Sequence, residues 1–171
     1  MSAKTKPVFI SSRIIATGFF SGYAPYLSGT AGSLVLLLLW VLLKSAGVIT
    51  SHFEQLLFIL LITVAGTLAT GVYLKVLIKE NPAGKINDPK EVVIDEWAGM
   101  AISLFSALYY GPVAAIIAFV IFRLLDIWKP GPIGIVEKLP AEWGIMADDI
   151  LAGIVTAALV SLLWPKVCGM Y

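Results

Sequence analysis

Five carboxylates lie in or beside segments that are otherwise strongly apolar. They are Asp95 and Glu96 in VVIDEWAGM, Asp126 in FVIFRLLDIWKPGPI, and Asp148 and Asp149 in GIMADDILAG. An acid at the centre of a membrane helix costs roughly 2.5–3.5 kcal/mol on insertion scales, so a chain that keeps five of them needs a use for negative charge. Hard oxygen donors of this kind suit a divalent cation. Two basic residues accompany them. Arg123, Asp126 and Lys129 follow at i, i+3 and i+6, which puts all three within one arc of a helix. Such a group reads either as a metal-binding carboxylate between two phosphate-binding cations, or as a snorkelling Arg and Lys neutralised by Asp126.

The other acids carry the same two-sided reading. Asp95 and Glu96 open an apolar segment, where acids also favour the helix dipole. Glu96 is the better ligand of the two, because Gly99 and Met100 continue a close-packing face beside it. Asp95 then braces it or orients a water. One of Asp148 and Asp149 could cap a helix. Adjacent buried carboxylates repel, however, and a bound divalent cation is the simplest way to keep both ionised. Residues 17–33, TGFFSGYAPYLSGTAGS, are dense in glycine and hydroxyls. They match neither the P-loop nor the dinucleotide fingerprint. They serve close helix packing, or they cradle a phosphate at a helix N-terminus, with Thr30 and Ser33 best placed for it. His52 and Cys168, one of each in the chain, stand apart from every acid. That removes histidine- and cysteine-based phosphoenzyme chemistry.

These residues need elements to carry them, and composition says which. The 171 residues are 59% hydrophobic and only 13% charged, against about 25% charged in a soluble domain. The expected fold class is all-α: a polytopic membrane helix bundle forming a single domain over residues 1–171. No basic stripe of the nucleic-acid-binding kind is present. A span needs about 20 apolar residues. Segments 31–49, 56–78 and 144–164 qualify. Residues 97–122 are uncharged but would make a helix of about 39 Å, too long for one span. Gly111-Pro112 is a strong breaker, so a hairpin is expected there, with arms 92–110 and 112–128.

Five spans with the N-terminus cytoplasmic put Lys4, Lys6, Arg13, Lys75, Lys79, Lys85, Lys90, Arg123, Lys129 and Lys138 inside. Only Lys44 and Lys166 fall outside. That matches the positive-inside rule; a four-span layout weakens it. All five acids then share the cytoplasmic rim, preceded by a short N-terminal interfacial helix. Residues 79–90 read as a polar loop.

Taken in order, ATGFFSGYAPYLSGTAGS, VIDEWAGM, FRLLDIWKPGPI and GIMADDILAG resemble the phosphatidylglycerophosphatase A family over most of the chain. One departure is Leu-Ser-Gly-Thr where the family usually has Pro-Gly-Thr, which removes a rigid turn without touching the chemistry. The resemblance implies a magnesium-dependent phosphatase of the bacterial inner membrane, its active site on the cytoplasmic face. It would convert phosphatidylglycerophosphate to phosphatidylglycerol and inorganic phosphate, with that lipid and the surrounding membrane lipids as its partners. The expected metal ligands are Glu96, Asp126, Asp148 and Asp149, with Asp95 completing the catalytic set. Arg123, Lys129, Thr30 and Ser33 would bind the substrate phosphate. No Asp-x-Asp nucleophile run is present, which favours water as the attacking group. The competing reading is a small transporter, which predicts acids at mid-depth and an inverted repeat.

Overall fold

The computed structural model describes residues 5–80, 89–140 and 142–168. Lys4, Lys85, the side chain of Lys6 and most of the polar 79–90 stretch lie outside the described residues. Among the described residues the chain is helical and holds no strand, in line with the all-α expectation. The helices are α1 (Thr5–Ala16), α2 (Ser28–Ser45), α3 (His52–Glu80), α4 (Ile94–Ser103), α5 (Ala107–Tyr110), α6 (Pro112–Trp128), α7 (Pro132–Val136) and α8 (Glu142–Val167). A short 3₁₀ turn, Ser21–Tyr23, lies between α1 and α2.

Three of these, α2, α3 and α8, are long and apolar enough to cross a membrane. Their inward positions, among them Leu36, Trp40, Ile62, Met146 and Val160, are buried in one core. Their outward positions, such as Leu38, Leu60, Leu61 and Leu162, are exposed. Water would penalise that outer surface, whereas lipid tails are as apolar as leucine itself.

The hairpin forms where the sequence places it. Gly111 adopts φ 85° and ψ −171°, and Pro112 starts α6. Glycine takes a positive φ without steric cost, and proline suits the first helical position because its missing N–H is not needed there. The ring of Phe122 then lies against Gly99, so α6 returns alongside α4.

The first arm departs from the expected single segment 92–110, since residues 104–106 interrupt it between α4 and α5. Serine side chains flank the break and bond to backbone carbonyls. Ser103 Oγ donates to the Gly99 carbonyl at 2.8 Å. Ser106 Oγ lies 2.7 Å from both the Ala157 carbonyl and Ser161 Oγ on α8. The Ser106 contacts tie the break to α8.

At the start of α3, Ser51 and Glu54 form a reciprocal cap. Ser51 N–H donates to Glu54 Oε2 at 2.9 Å, and Glu54 N–H points at Ser51 Oγ at 3.4 Å. The N-terminal helix α1 is held along the other end of α3 by stacking of Phe9 on Tyr73, with ring centroids 5.7 Å apart.

Candidate active site

Two glycines bring the acids together. Asp95 precedes Gly99 by four residues, and Asp149 precedes Gly153 by four, so each carboxylate sits one turn from a glycine on the same helical face. A Cβ on Gly99 would lie 2.5 Å from the Asp149 carbonyl oxygen, and a Cβ on Gly153 would collide with the Gly99 carbonyl. Helices α4 and α8 therefore touch backbone to backbone and run parallel from the acid end. Small residues allow that approach. As a result Asp95, Glu96 and Asp149 each offer an oxygen within 4.8 Å of the others. Asp95 and Asp149 are buried and Glu96 half-buried.

Helix α6 ends at the same place and delivers Asp126. It lies close enough to Asp149 to act on it electrostatically, as does Glu96. Arg123 Nη1 contacts Asp126 Oδ2 at 2.6 Å and donates to Ser33 Oγ at 3.3 Å. Helix α2 contributes Gly29, where a Cβ would collide with Glu96 Oε1 and lie 3.0 Å from Arg123 Nη2. Any larger residue there would have to displace the end of the Glu96 side chain.

A cavity of ≈630 Å³ opens on this group. Asp95, Glu96, Asp126, Asp148, Asp149 and Lys129 line it, opposite an apolar side formed by Leu74, Ile78 and Ile145. Lys129 follows α6 in a left-handed conformation, φ 46°, ahead of Pro130-Gly131-Pro132, which cannot continue the helix. Its Nζ lies 2.6 Å from Asp148 Oδ2 and 2.7 Å from Glu137 Oε1. Burial alone would lower the Lys129 pKa, but its bonds to Asp148 and Glu137 outweigh that and raise it, so the ammonium stays charged.

The structure thus gathers all five acids into one site but gives them different surroundings. Asp126 and Asp148 each hold a cation, whereas Asp95, Glu96 and Asp149 form the tight trio. Asp148 and Asp149 lie beyond the first turn of α8, so neither caps it. Lys129 faces the cavity. Arg123 and Ser33 sit behind the acids, among residues that do not line it. Thr30 occupies the first turn of α2, half-buried and also outside the lining.

Sequence reasoning missed two contributors. Glu137 stands eight residues from Lys129 across a proline turn, where no helical period links them. Gly29 carried a signal only as part of a small-residue run whose partner was unknown.

Glu96 Oε2, Asp148 Oδ1 and Asp149 Oδ1 are buried and have no hydrogen-bond partner among the described residues. Unpaired carboxylate oxygens shut off from solvent are expensive. A donor set made wholly of carboxylate oxygens, with Asp95, Glu96 and Asp149 each offering one within 4.8 Å of the others, fits a hard divalent cation of the magnesium type.

Known proteins resemble the chain over most of its length. Residues 14–164 match the family described as Phosphatidylglycerophosphatase A. A protein of Escherichia coli (strain K12) named Phosphatidylglycerophosphatase A is 32% identical over 156 residues, covering 89% of this chain and 84% of the relative. One of Haemophilus influenzae with the same name is 36% identical over 150 residues, 86% of this chain and 85% of the relative. A Bacteroides thetaiotaomicron protein, named provisionally as a phosphatidylinositol-3-phosphatase, is 33% identical over 154 residues, 87% of this chain and 91% of the relative. No solved structure matches the chain.

Proposed function

The chain belongs to the phosphatidylglycerophosphatase A family, and from that premise we propose that its carboxylate cavity removes the terminal phosphate from phosphatidylglycerophosphate. The products are phosphatidylglycerol and inorganic phosphate. The observation that carries the reading is the pairing of a tight carboxylate trio with a charged lysine on the wall of the same cavity. Phosphoryl transfer depends mainly on positioning and on charge placed where it develops, and this arrangement supplies both.

Asp95, Glu96 and Asp149 would hold a magnesium ion, with Asp126 and Asp148 at its margin. When bound, such an ion supplies neutralisation and polarisation of phosphoryl oxygens. The chain's own groups do the rest. Lys129 has three N–H donors, of which Asp148 and Glu137 take two, leaving one for a phosphate oxygen. Arg123 acts one step back. It fixes Asp126 and shields the mutual repulsion of the acids, so it is a positioning residue rather than a phosphate clamp. Water attacks phosphorus while a carboxylate of the group takes its proton. The phosphorus–oxygen ester bond breaks, and the headgroup alkoxide leaves to be protonated as an alcohol. The distribution of lysine and arginine supports an acid end at the cytoplasmic face of the bacterial inner membrane, with five spans in all.

Phosphate release by purified protein tests the reading. Magnesium-dependent release from phosphatidylglycerophosphate, faster than from phosphatidylinositol 3-phosphate, is the expected result. The reverse order would replace the headgroup, and equal release in excess chelator would remove the metal.

A further inference from the structure

The loop joining α1 to α2 has a backbone its residues resist. Phe19, Phe20 and Tyr26 have φ of 51°, 71° and 73°. For bulky side chains this left-handed region is a genuine outlier, and such strain persists only where the surroundings enforce it. The strain does not serve burial. Phe19 is 65% exposed, Phe20 54%, and Tyr26 102%, so the Tyr26 ring touches nothing in the protein.

The position of the loop is well defined. Phe19 stacks on Trp97 with centroids 5.9 Å apart, and Trp97 adjoins Glu96. Gly22 packs against the Glu91 carbonyl. The far end of the loop runs into α2 just before Gly29, which meets Glu96 and Arg123. The rings therefore lie at the level of the acids along the bundle. Trp128, 78% exposed at the end of α6, lies at that level too, next to Lys129. Directly beyond the loop, the outward face of α2 (Leu34, Leu38, Val41, Leu42) is apolar and exposed on a helix able to cross a membrane.

Aromatic rings concentrated where an apolar face gives way to charge mark the headgroup zone of a bilayer. We infer that the aromatic loop 19–27 inserts into the lipid headgroup layer and, with Trp128, sets the depth of the carboxylate cavity at that layer. The occupant is the lipid surface itself. Strain in the loop is the cost of aiming three rings outward from a fixed attachment. The inference rests on the membrane reading of the helices and not on the identity of the substrate.

A nitroxide label tests it without any turnover measurement. Tyr26→Cys and Phe19→Cys are made in a Cys168→Ser background, labelled, and reconstituted in phosphatidylethanolamine–phosphatidylglycerol vesicles. Both labels are expected to collide with oxygen more than with a water-soluble nickel chelate, at a depth near the headgroup boundary. Labels open to the nickel chelate at both positions would overturn the inference.

A second arm uses Tyr26→Asn, since asparagine tolerates the left-handed region. It is expected to unfold in detergent no earlier than wild type, yet to turn over lipid in vesicles several-fold more slowly, with Tyr26→Trp retaining activity. Wild-type turnover by Tyr26→Asn in vesicles would also overturn the inference. A wild type inactive on phosphatidylglycerophosphate would remove the substrate reading while leaving the label result to stand on its own.

Discussion

The two ends of the bundle treat charge in opposite ways. At the end formed by the close of α2, the start of α3 and α5, the charged groups are spent on structure. Lys44 Nζ donates to the Leu108 carbonyl at 2.5 Å, and Glu54 accepts from Thr50 and Ser51. His52 stacks on Phe105 with centroids 4.2 Å apart and lies 3.2 Å from its carbonyl. At the other end, Glu96, Asp148 and Asp149 each keep a buried oxygen with no hydrogen-bond partner among the described residues. A helix bundle that can satisfy Lys44 and Glu54 has no structural need to leave Glu96, Asp148 and Asp149 incomplete. Where polar atoms are completed, the fold is being held. Where several carboxylate oxygens are withheld at one place, a ligand is expected.

The largest test of this contrast is Glu96→Gln or Asp149→Asn. Each removes one charge from the trio without changing shape, and turnover should fall by roughly 10³-fold, the upper end for losing one electrostatic group. Protein level in membranes should be unchanged. Full magnesium-dependent turnover in either variant would take that residue out of the site.

Gly29→Ala comes next. The added methyl collides with Glu96, and displacing a catalytic group by about an ångström costs about 10²-fold. Normal kinetics would mean that α2 does not fix Glu96.

Arg123→Lys should cost roughly tenfold, because the shorter side chain does not carry its charge to the point where Nη1 meets both Asp126 and Ser33. If Arg123 acts from behind the acids, kcat should drop with little change in KM. A rise in KM alone would return it to direct phosphate contact.

The smallest effect belongs to the opposite end. Ser51→Ala removes the α3 cap and should cost about 1 kcal/mol of stability, seen as earlier unfolding in detergent, with turnover per folded molecule unchanged. Lost turnover there would erase the distinction between the two ends.

Much of this architecture was legible in the residues. The apolar runs located α2, α3 and α8 within a few positions, because burial in lipid demands length and little else. Gly111-Pro112 marked the reversal, since its conformation depends on those two residues alone. The break at 104–106 was hidden because Ser106 takes its partner from α8, fifty residues away. Among the acids, sequence named the five but not their division of labour. Asp126 was legible with Arg123, a helical neighbour, and the structure pairs the two at 2.6 Å. Lys129 belonged to the same arc by spacing, yet the left-handed turn after α6 points it at Asp148 instead.

By itself, then, the sequence determined a helical membrane chain, its turning points, and a set of carboxylates too costly to keep without a purpose. These follow from local quantities: hydropathy over a turn or two, side-chain period, and the backbone preferences of glycine and proline. Only the tertiary structure decided that Asp95, Glu96 and Asp149 form the trio, that Lys129 rather than Arg123 faces the cavity, and that Gly29 packs against Glu96. Those outcomes depend on how closely helices from distant parts of the chain approach. That distance is set where Gly99 meets Gly153 and where Gly29 meets Glu96, contacts that no local pattern encodes.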